Sequence, residues 1–396
     1  MAKIGIFGGS FNPPHRGHVL ALREFQVKLA LDQLFVIPAA QPPHKHLSAN
    51  SPDADTRLLL TQLACFGLPR VSVSDMELRR EGASYTSDTV LELRRRFPGD
   101  ELFFLMGTDM FFSFEKWHCP ERITQEATLV VAHRAADDAM KLAAQREKLQ
   151  AQFAARIVML ENAYVPISST SARAFLAFGF GEDYLPPMVY EEIVRRRLYY
   201  VGHDLRQLPF DELSRVSLSL HDAKRMPHAA GCSATARELA LRYGENPDIA
   251  ARAGILHDIT KALKPEEQLN LCEKCGILCT DFERRNAKLL HAKTGAAIAG
   301  RVFGEDETVC DAIRWHTTGK ANMTPLEKII YLADYMEPNR DFPGVEQLRE
   351  AAKTSLDAAM VLGLEMSIGQ LRRQGREVDA NSQAALDDYK ERMSET

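Results

Sequence analysis

The first 31 residues constrain the fold of this chain more than any other stretch. Lys3 to Phe7 is a short apolar run typical of a buried strand, and Val19 to Leu31 repeats apolar side chains at helical spacing. Between them lies the run Gly8-Gly9-Ser10-Phe11-Asn12-Pro13-Pro14-His15-Arg16-Gly17-His18. A strand, a Gly/Pro loop and a helix start form an anion cradle, because glycine permits close approach and a helix N-terminus favours negative charge.

Two histidines lie at the mouth of this cradle. His15 and His18 are three residues apart at the helix start, so both rings can reach one anion. Imidazoles at this place can donate hydrogen bonds to a phosphoryl group as charge develops on it. The loop holds no carboxylate cluster, which favours phosphate contact over metal ligation. The alternative is a plain turn carrying two surface histidines.

The run GGSFNPPHRGH resembles the HxGH nucleotidyltransferases, and it is similar to the version in nicotinate-mononucleotide adenylyltransferases, which usually have Asp in place of Asn12. The resemblance implies adenylyl transfer from Mg²⁺-bound ATP to nicotinate mononucleotide, giving nicotinate adenine dinucleotide and pyrophosphate in NAD biosynthesis. Nicotinamide mononucleotide and phosphopantetheine stay open as alternative acceptors. The resemblance also implies catalytic roles for His15 and His18, and nucleotide binding by Gly8, Gly9, Ser10 and Phe11.

Strand-like and helical runs alternate through residue 132. The expected later strands are Leu34–Ile37, Val71–Val73, Leu102–Met106 and Leu129–Ala132, and the expected helices lie near 55–66, 86–97 and 109–117. This alternation predicts a doubly wound, Rossmann-like parallel sheet with helices on both faces. Ligands of such sheets bind at the carboxyl ends of the strands.

Several polar residues follow these strands. The resemblance implies that they line the mononucleotide and ATP sites, whereas the plain alternatives are solvated loop side chains and helix caps. Two runs depart from the family pattern: Gly107-Thr108-Asp109 has Thr in place of Ala, and His133-Arg134-Ala135-Ala136 replaces Arg-Pro-Gly. The candidates are Lys45, Ser84, Tyr85, Thr86, Gly107, Asp109, Trp117 and Arg134.

A second anion cradle is predicted near residue 170. A β-like run ends at Ile167, and three hydroxyls then open a helix that carries an arginine one turn in. The alternative is a capped helix with a surface arginine. The run resembles the ISSTxxR signature of the nucleotidyltransferases, which implies ATP-phosphate binding by Ser168, Ser169, Thr170 and Arg173. A helix over 189–200 then closes a domain predicted to span residues 1–200, with 201–209 as linker.

Residues 210–396 lack strand-like alternation. Helical runs are expected at about 211–224, 229–243, 247–260, 265–274, 281–301, 306–316, 325–336, 345–361 and 364–373, and residues from 379 onward are a tail or a last helix. This pattern predicts an all-helical second domain.

One doublet stands out in the second domain. His257-Asp258 lies in an otherwise apolar helix, and burying an ionised Asp without a partner is costly. A metal ion is one such partner, and a buried His–Asp hydrogen bond is the alternative. Matching residues occur in other helices: His228, His291, His316 and Asp334. Mixed imidazole and carboxylate ligation suits Fe, Mn, Zn, Co or Ni.

This order resembles the HD-domain phosphohydrolases, and the runs LLHAKTGA, WHTTG and LEKIIYLADYMEPNR are closer still to the symmetrical diadenosine tetraphosphatases of that group. The resemblance implies an iron centre that cleaves diadenosine tetraphosphate to two ADP. A non-hydrolytic, nucleotide-sensing regulatory module is the alternative. The resemblance to the phosphohydrolases implies metal ligation by His228, His257, Asp258 and Asp334, with Asp258 also catalytic. It implies a second metal or phosphate contacts at His291 and His316, and phosphate or base contacts at Lys261, Tyr335 and Arg340.

Three local patterns have a second interpretation. Pro227 places His228 at a helix start rather than inside a helix. The doublet His221-Asp222 is interpreted as surface because Lys224 and Arg225 follow it. The spacing of Cys272, Cys275 and Cys279 predicts reduced thiols near a helix end, with zinc as the lesser alternative.

Composition limits the class of protein. At 396 residues, 45% hydrophobic and 26% charged, the chain is long enough for two globular domains. The net charge of −5 argues against nucleic acid as partner and against an RNA-acting nuclease. No apolar run reaches membrane-spanning length, and seven scattered cysteines suggest a reducing cytoplasm. Homo-oligomer formation and the number of metal ions stay open.

Overall fold

The computed structural model describes residues 1–43, 47–133, 138–161 and 167–394. Their contacts divide the chain into two compact units, Met1–Gly202 and His203–Thr396. Two candidate residues, Lys45 and Arg134, lie outside the described ranges. Across those ranges, no helix combines the length and the apolar character needed to cross a membrane.

The first unit contains a six-stranded sheet in which every neighbouring pair is parallel. Its strands follow the order β3-β2-β1-β4-β5-β6. They are β1 Lys3–Gly9, β2 Gln33–Pro38, β3 Val71–Val73, β4 Glu101–Gly107, β5 Ala127–His133 and β6 Ile157–Glu161. The predicted doubly wound, Rossmann-like fold is confirmed.

Helices cover both faces of this sheet because each strand sends alternate apolar side chains to opposite sides. In β4, Phe104 and Met106 join one core cluster, while Phe103 and Leu105 join the other. The helices are α1 Arg16–Leu29, α2 Ala54–Cys65, α3 Thr86–Arg96, α4 Thr108–Ser113, α5 Pro120–Glu126, α6 Ala139–Phe153, α7 Ser169–Ala177 and α8 Pro187–Arg196. The order reverses between β1 and β4, which opens a crevice at the carboxyl ends of these two strands.

The first unit differs from expectation in four places. The helix expected over 189–200 ends at Arg196, and a 3₁₀ turn follows it. The sixth strand is Ile157–Glu161, whereas the sequence suggested a β-run ending at Ile167; residues 162–166 of that run lie outside the described ranges. Strand β6 is a half-exposed edge strand, so its apolar signal is short. The helix expected over 109–117 ends at Ser113 and continues as a 3₁₀ turn, and α5 follows it unexpectedly.

The second unit is helical, and its described residues include no strand, which confirms the all-helical prediction. The helices are α9 Phe210–Leu220, α10 Met226–Tyr243, α11 Pro247–Leu256, α12 Pro265–Cys275, α13 Asp281–Arg285, α14 Leu290–Phe303, α15 Glu307–Trp315, α16 Pro325–Met336, α17 Val345–Thr354, α18 Leu356–Arg373 and α19 Ala380–Ser394. Ser355 separates α17 from α18 because its hydroxyl accepts the amide N–H of Ala358 at 3.2 Å, a helix cap inside a run expected to be continuous.

Helices α10 and α11 cross at a glycine. A Cβ added to Gly254 would lie 2.7 Å from the Cα of Ser233, so only glycine permits this approach. The Ser233 hydroxyl donates to the carbonyl of Ala251 at 2.8 Å across the same crossing. The close contact brings His228, in the first turn of α10, beside His257, which follows α11.

We therefore expect Gly254→Ala to lower the free energy of unfolding of the second unit by about 1–3 kcal/mol, because the added methyl group separates the two helix backbones. Urea unfolding of the full chain in a Trp117→Phe background, where Trp315 is the sole tryptophan, measures the effect by fluorescence.

Gly369→Ala in α18 is the matched control. Its added Cβ would meet only the end of the Arg373 side chain, at 3.5 Å. We expect this variant to be neutral or to gain up to about 1 kcal/mol of helix propensity. Equal stability of Gly254→Ala and the unchanged protein would show that the crossing tolerates a side chain.

Candidate active sites

The two histidines of the first unit stack at the N-terminus of α1. His15 is the N-cap residue and is 6% exposed, while His18 lies in the first turn and is half-buried. Their ring centroids are 3.7 Å apart. The backbone N–H of His15 donates to Nδ1 of His18 at 3.1 Å, so a neutral His18 carries its hydrogen on Nε2. That nitrogen is then a donor suited to a phosphoryl oxygen.

Glycine between the two histidines permits a tight contact. A Cβ added to Gly17 would lie 3.1 Å from Nδ1 of His15 and 3.4 Å from the side chain of Ile167. A Cβ on Gly9 would lie 3.2 Å from the Phe11 ring, which in turn lies edge-on to His18 at 5.2 Å. Because Gly9 and Gly17 have no side chain, the rings of Phe11 and His15 can lie close to the backbone of this loop.

The crevice between β1 and β4 is open at the predicted ligand positions. A Cβ on Gly107 would meet nothing within 4 Å, and one on Gly8 would meet only Phe104 at 4.0 Å. Asp109 is exposed in the first turn of α4. Gly8, Gly107 and Asp109 thus border free space at the carboxyl edge of the sheet.

Other predicted residues of this crevice have structural partners. The Ser84 hydroxyl accepts the amide N–H groups of Ala40 and Gln41 at 3.0 and 3.3 Å, so it holds the loop after β2. Tyr85 is the N-cap residue of α3, which begins at Thr86, and its ring stacks on His118 at 4.2 Å.

Trp117 packs in a hydrophobic core of the first unit. Its side chain is 9% exposed and packs against Phe104 and Phe114, at centroid distances of 6.0 and 5.3 Å. Its ring belongs to the hydrophobic core on one face of the sheet.

The second cradle is tied to the first. Ser168 caps α7 by accepting the amide N–H of Ser171, and the Ser169 hydroxyl donates to the carbonyl of Pro13 at 3.1 Å. Arg173 donates to the carbonyl of Asn12 at 2.7 Å and is 4% exposed. Burial lowers the pKa of this guanidinium from its ordinary value. The guanidinium of Arg173 therefore anchors the histidine loop, with Thr170 beside it at 3.4 Å.

Sequence reasoning missed a buried arginine beneath the same loop. Arg57 is 1% exposed and donates to the carbonyls of Ser10, Ala39 and Ala40 at 2.9, 2.7 and 3.0 Å. It thereby joins the loop after β1 to the loop after β2. Its signal in the sequence is its place on the apolar face of α2, in register with Leu60 and Ala64.

Tyr199 was also missed. Its hydroxyl donates to the side-chain carbonyl of Asn12 at 2.8 Å, and the Asn12 amide donates to Ser51 at 2.6 Å. No local pattern links residues 187 positions apart, so only the folded chain reveals the contact.

In the second unit, five helices bring the predicted metal ligands together. Nε2 of His228 lies 3.2 Å from Nε2 of His257 and 3.1 Å from Oδ1 of Asp334. Nε2 of His291 lies 3.1 Å from Nε2 of His316 and 3.2 Å from Oδ1 of Asp258. Ligand atoms that share one ion at about 2.1 Å would lie roughly 3.0–3.4 Å apart, so these separations fit a metal site.

Each of the four imidazole rings is oriented by a contact of its Nδ1 atom. Three of these nitrogens lie within hydrogen-bond distance of a backbone carbonyl three residues earlier, and the fourth lies 3.1 Å from the Glu337 carboxylate. The pairs are His257 with Gly254, His291 with Lys288, His316 with Ile313, and His228 with Glu337. With Nδ1 as donor, each Nε2 presents a lone pair to the centre. Facing lone pairs repel each other unless a cation lies between them.

Asp258 joins two halves of this centre. Its Oδ2 lies 3.6 and 3.5 Å from Nε2 of His228 and His257, and its Oδ1 lies 3.2 and 3.7 Å from Nε2 of His291 and His316. The side chain is 2% exposed, and Oδ1 is a buried acceptor without a hydrogen-bond partner. Two groups of three can hold an ion: His228, His257 and Asp334, and His257, Asp258 and His316. An acceptor buried in this way fits a bridging metal ligand.

The pKa values of the two carboxylates and of His291 fit metal ligation. Burial alone would raise the pKa of Asp258, but His257 and Lys261 hold it well below its ordinary value. Burial opposes ionisation of Asp334 too, yet hydrogen bonding to His228 keeps its pKa low. Burial and nearby Lys261 lower the pKa of His291 to about 4. The carboxylates are thus ionised and His291 is neutral at neutral pH, as ligands must be.

Burial by itself would lower the pKa of His228 and of His257, but Asp258 raises the pKa of His228, and Cys232 and Asp258 raise the pKa of His257. A metal ion bound by these two rings would therefore displace a proton from each.

Cationic side chains border the centre. Nζ of Lys261 lies 2.8 Å from Nε2 of His291, and Arg340 donates to Oδ1 of Asp334 at 2.6 Å. Arg225 donates to Asp258, a contact that the sequence did not reveal. These three side chains are each about one-third exposed, so they reach from the ligands toward solvent. Tyr335 is half-buried, with its ring 5.0 Å from Phe342.

The interpretation of His221 as surface is wrong. His221 is 5% exposed, and its Nδ1 lies 2.8 Å from the carbonyl of Ser217, while Asp222 is exposed as expected. The histidine continues the buried face of α9, on which Ser217 and Leu220 lie. The charged residues after the doublet were misleading, because Arg225 is directed at Asp258 rather than at solvent alone.

The cysteine run at and just beyond the end of α12 has no metal-site geometry. Cys272 is buried with Ala287 and Leu290, and Cys275 and Cys279 are half-buried. Burial raises the pKa of the Cys272 and Cys275 thiols. Among the described residues, the groups able to hold an ion contain no cysteine, and all three thiols are free.

We expect Glu337→Gln to weaken metal binding by roughly 10–100-fold, because the carboxylate that orients His228 loses its charge. Glu337 is 1% exposed and was not found by sequence reasoning. Competition with a chelator, followed by elemental analysis of the full chain, measures the change. Glu346→Gln, at a side chain that is 77% exposed, is the control. Equal metal affinity of both variants would remove Glu337 from the centre.

Comparison with known proteins assigns a different family to each half. Residues 6–175 match the Cytidylyltransferase-like family, and residues 225–339 match the HD domain family. A probable nicotinate-nucleotide adenylyltransferase of Lachnoclostridium phytofermentans is 34% identical over 200 residues, which is 50% of this chain and 100% of the relative. One from Geobacter sulfurreducens is 36% identical over 216 residues, or 51% of this chain and 99% of the relative.

A solved structure is also similar to part of this chain. It is a predicted HD superfamily hydrolase involved in NAD metabolism from Clostridium acetobutylicum, 36% identical, with a TM-score of 0.46. The match covers 47% of this chain and 98% of that chain.

Proposed function

Because its N-terminal half belongs to the nicotinate-nucleotide adenylyltransferase family and its C-terminal half carries an HD domain, we propose that the chain is a bifunctional enzyme. We propose residues 1–200 as the adenylyltransferase domain, 201–209 as the linker and 210–396 as a metal-dependent phosphohydrolase domain. The first domain adenylylates nicotinate mononucleotide with ATP and Mg²⁺, and the second hydrolyses diadenosine tetraphosphate to two ADP. A cytoplasmic location remains a prediction.

The stacked pair of His15 and His18 supports the first activity. The phosphate of nicotinate mononucleotide is already an anion, so it attacks the α-phosphorus of ATP without a covalent enzyme intermediate, and pyrophosphate leaves. The enzyme therefore aligns the two phosphates and neutralises the developing charge. Nε2–H of His18 donates to the α-phosphoryl oxygen, and the α1 N-terminus adds its partial positive charge.

The buried network beneath the loop supports this alignment. Arg57, Arg173 and Tyr199 bond to the backbone and side chain of residues 10–12, so the loop enters α1 in one conformation. Pre-organised donors lose little entropy when substrate binds, which is the advantage of a rigid cradle. In this proposal the side chains of Lys45, Ser169 and Thr170 contact the outer phosphates of ATP.

We expect His18→Ala to lower kcat for adenylyl transfer by roughly 10²–10³-fold while the affinity for ATP changes little, because the lost hydrogen bond strengthens only in the transition state. Pyrophosphate release and ATP titration of the full chain measure the two quantities. Arg23→Ala, at an exposed position one turn further along α1, is the control. A large loss of ATP affinity with intact kcat would contradict the catalytic role.

The convergence of four Nε2 atoms on Asp258 is the single observation that carries the second activity. A divalent ion held there would lower the pKa of a bound water and so supply hydroxide at neutral pH. His228, His257, Asp258 and Asp334 would hold it, and His291 and His316 would hold a second ion or the substrate phosphates. Iron is the ion that we propose, and the ligand set also suits Mn, Co, Ni or Zn.

The cations at the border supply the remaining interactions. Lys261, Arg225 and Arg340 each bond to a member of the centre and are partly exposed. A tetraphosphate carries several negative charges, and charge-assisted hydrogen bonds from these side chains would hold it in line with the attacking oxygen. The net charge of −5 does not prevent binding of a tetraphosphate, because the electrostatic potential at the site is set by the nearby cationic side chains.

We expect Asp258→Ala to abolish both metal content and diadenosine tetraphosphate hydrolysis, because both halves of the centre lose their shared carboxylate. Adenylyl transfer by the same chain should be unchanged, which serves as the internal control. Elemental analysis and chromatographic assay of ADP measure the outcome, and Asp258→Asn tests the lost charge without the lost volume.

Two results would contradict this assignment. Hydrolysis that persists in metal-free Asp258→Ala would remove the centre from the reaction. Tight nucleotide binding by the unchanged, metal-loaded chain without any turnover would instead favour a nucleotide-sensing module.

A further inference from the structure

A closed ring of side-chain hydrogen bonds joins α12, α14 and the turn at 257–260 that carries Asp258. Nε2 of Gln268 donates to the carbonyl of Thr260 at 2.6 Å, and the Thr294 hydroxyl donates to Oε1 of Gln268 at 2.7 Å. The Thr260 hydroxyl lies 2.8 Å from the Thr294 hydroxyl, which closes the ring. All three side chains are buried.

The ring is joined to two of the proposed metal ligands through the main chain. Thr260 stands two residues after Asp258, in the turn in which the amide N–H of Lys261 donates to the carbonyl of Asp258 at 2.8 Å. The Thr260 hydroxyl also lies 3.0 Å from the carbonyl oxygen of His291. The segment of one ligand is therefore hydrogen-bonded to the backbone of the other, whose Nε2 lies 3.2 Å from Oδ1 of Asp258.

Helix α14 packs closely against this turn. A Cβ added to Gly295 would lie 3.3 Å from the carbonyl oxygen of His257 and 3.7 Å from the hydroxyl of Thr260. The ring therefore lies where the backbone of α14 approaches the His257-Asp258 doublet, and its hydrogen bonds join the two segments directly.

Stability alone does not explain polar side chains at these three positions. Replacing all the partners of a buried hydrogen bond by apolar groups of the same shape is often neutral or stabilising. Hydrogen bonds differ from apolar contacts because they are directional, so a fully satisfied ring fixes the distance between the segments that it joins. A metal site needs this property, because its ligand atoms share an ion only at separations of about 3 Å.

We propose that Thr260, Gln268 and Thr294 are positioning residues of the metal centre, which hold Asp258 and His291 at the separation that metal binding requires. The inference rests on the metal-dependent function proposed above and extends it beyond the ligands themselves. The three side chains touch neither the ion nor the substrate, and they act through the backbone of the two ligand segments. Apolar side chains in their place would keep the helices packed but would no longer fix this separation.

The triple variant Thr260→Val, Gln268→Met and Thr294→Val separates positioning from stability. It removes all the side-chain donors and acceptors of the ring together, and the carbonyl of Thr260 keeps the amide N–H of Leu263 as a donor at 3.0 Å. We expect the urea midpoint of the metal-free full chain to stay unchanged or to rise. Its affinity for Co²⁺ falls roughly 10–100-fold, the loss typical of residues that support metal ligands.

Co²⁺ is the probe because it suits this ligand set and its visible absorption reports the coordination of the ion. Unchanged Co²⁺ affinity and absorption in the triple variant overturn the proposal. A weaker affinity that accompanies a lower urea midpoint of the metal-free chain also overturns it, because the ring would then serve stability alone.

Two single variants decide the case if the triple variant does not fold. Thr294→Ser keeps the hydroxyl of the ring, whereas Thr294→Val keeps the shape of the side chain and loses the hydroxyl. We expect the serine variant to retain the Co²⁺ affinity of the unchanged protein and the valine variant to lose roughly 10–100-fold. Equal affinities of the two variants overturn the proposal.

Co²⁺ binding is measured without substrate, so this inference and the proposed hydrolysis can fail separately. Weaker Co²⁺ binding by the triple variant, when the unchanged chain hydrolyses no diadenosine tetraphosphate, upholds the ring and refutes the hydrolysis. Unchanged Co²⁺ binding by the triple variant, when the unchanged chain hydrolyses the dinucleotide, refutes the ring alone. Thr308→Val, at an exposed position of α15, is the matched control and leaves Co²⁺ affinity and absorption unchanged.

Discussion

Backbone hydrogen bonds to imidazole nitrogens set the chemistry of both halves of this chain. In the first unit, the N–H of His15 donates to Nδ1 of His18, which leaves Nε2 as a hydrogen-bond donor. In the second unit, carbonyls accept from Nδ1 of His257, His291 and His316, which leaves each Nε2 as a lone-pair ligand. In the proposed functions, an imidazole would thus face an anion in the first site and a cation in the second, and the main chain decides which of its nitrogens does so.

Such bonds require the backbone to come close to the rings, and small residues make this possible. Gly17 allows the ring of His15 to lie against the chain, and Gly254 allows α10 and α11 to touch at Ser233. The second contact brings the first turn of α10 to the end of α11, where His228 meets His257. In each unit a glycine is therefore linked to the site through geometry and not through contact with a ligand.

Prediction from sequence succeeded where a signal is local. The alternation of strands and helices up to β5, the helix that follows the first loop and the helical second half all follow from periodicity and loop composition. Prediction failed where the residues next to a position in the sequence indicated a different environment from the one that the fold provides. His221 was interpreted as exposed because charged residues follow it, and β6 was missed because a half-exposed edge strand has a short apolar run. Arg57, Glu337 and Tyr199 escaped notice since their partners lie far along the chain.

The sequence by itself determined the two fold classes, the order of the two units and the chemical types gathered in each site, because glycine loops, helical periodicity and unusual buried polar residues are local properties. The tertiary structure alone decided which nitrogen of each imidazole faces the site and which carboxylate oxygen joins the two halves of the metal centre. It also decided that Arg173 anchors the histidine loop. These outcomes depend on distances between residues that are far apart in the chain, and only the packed fold fixes such distances.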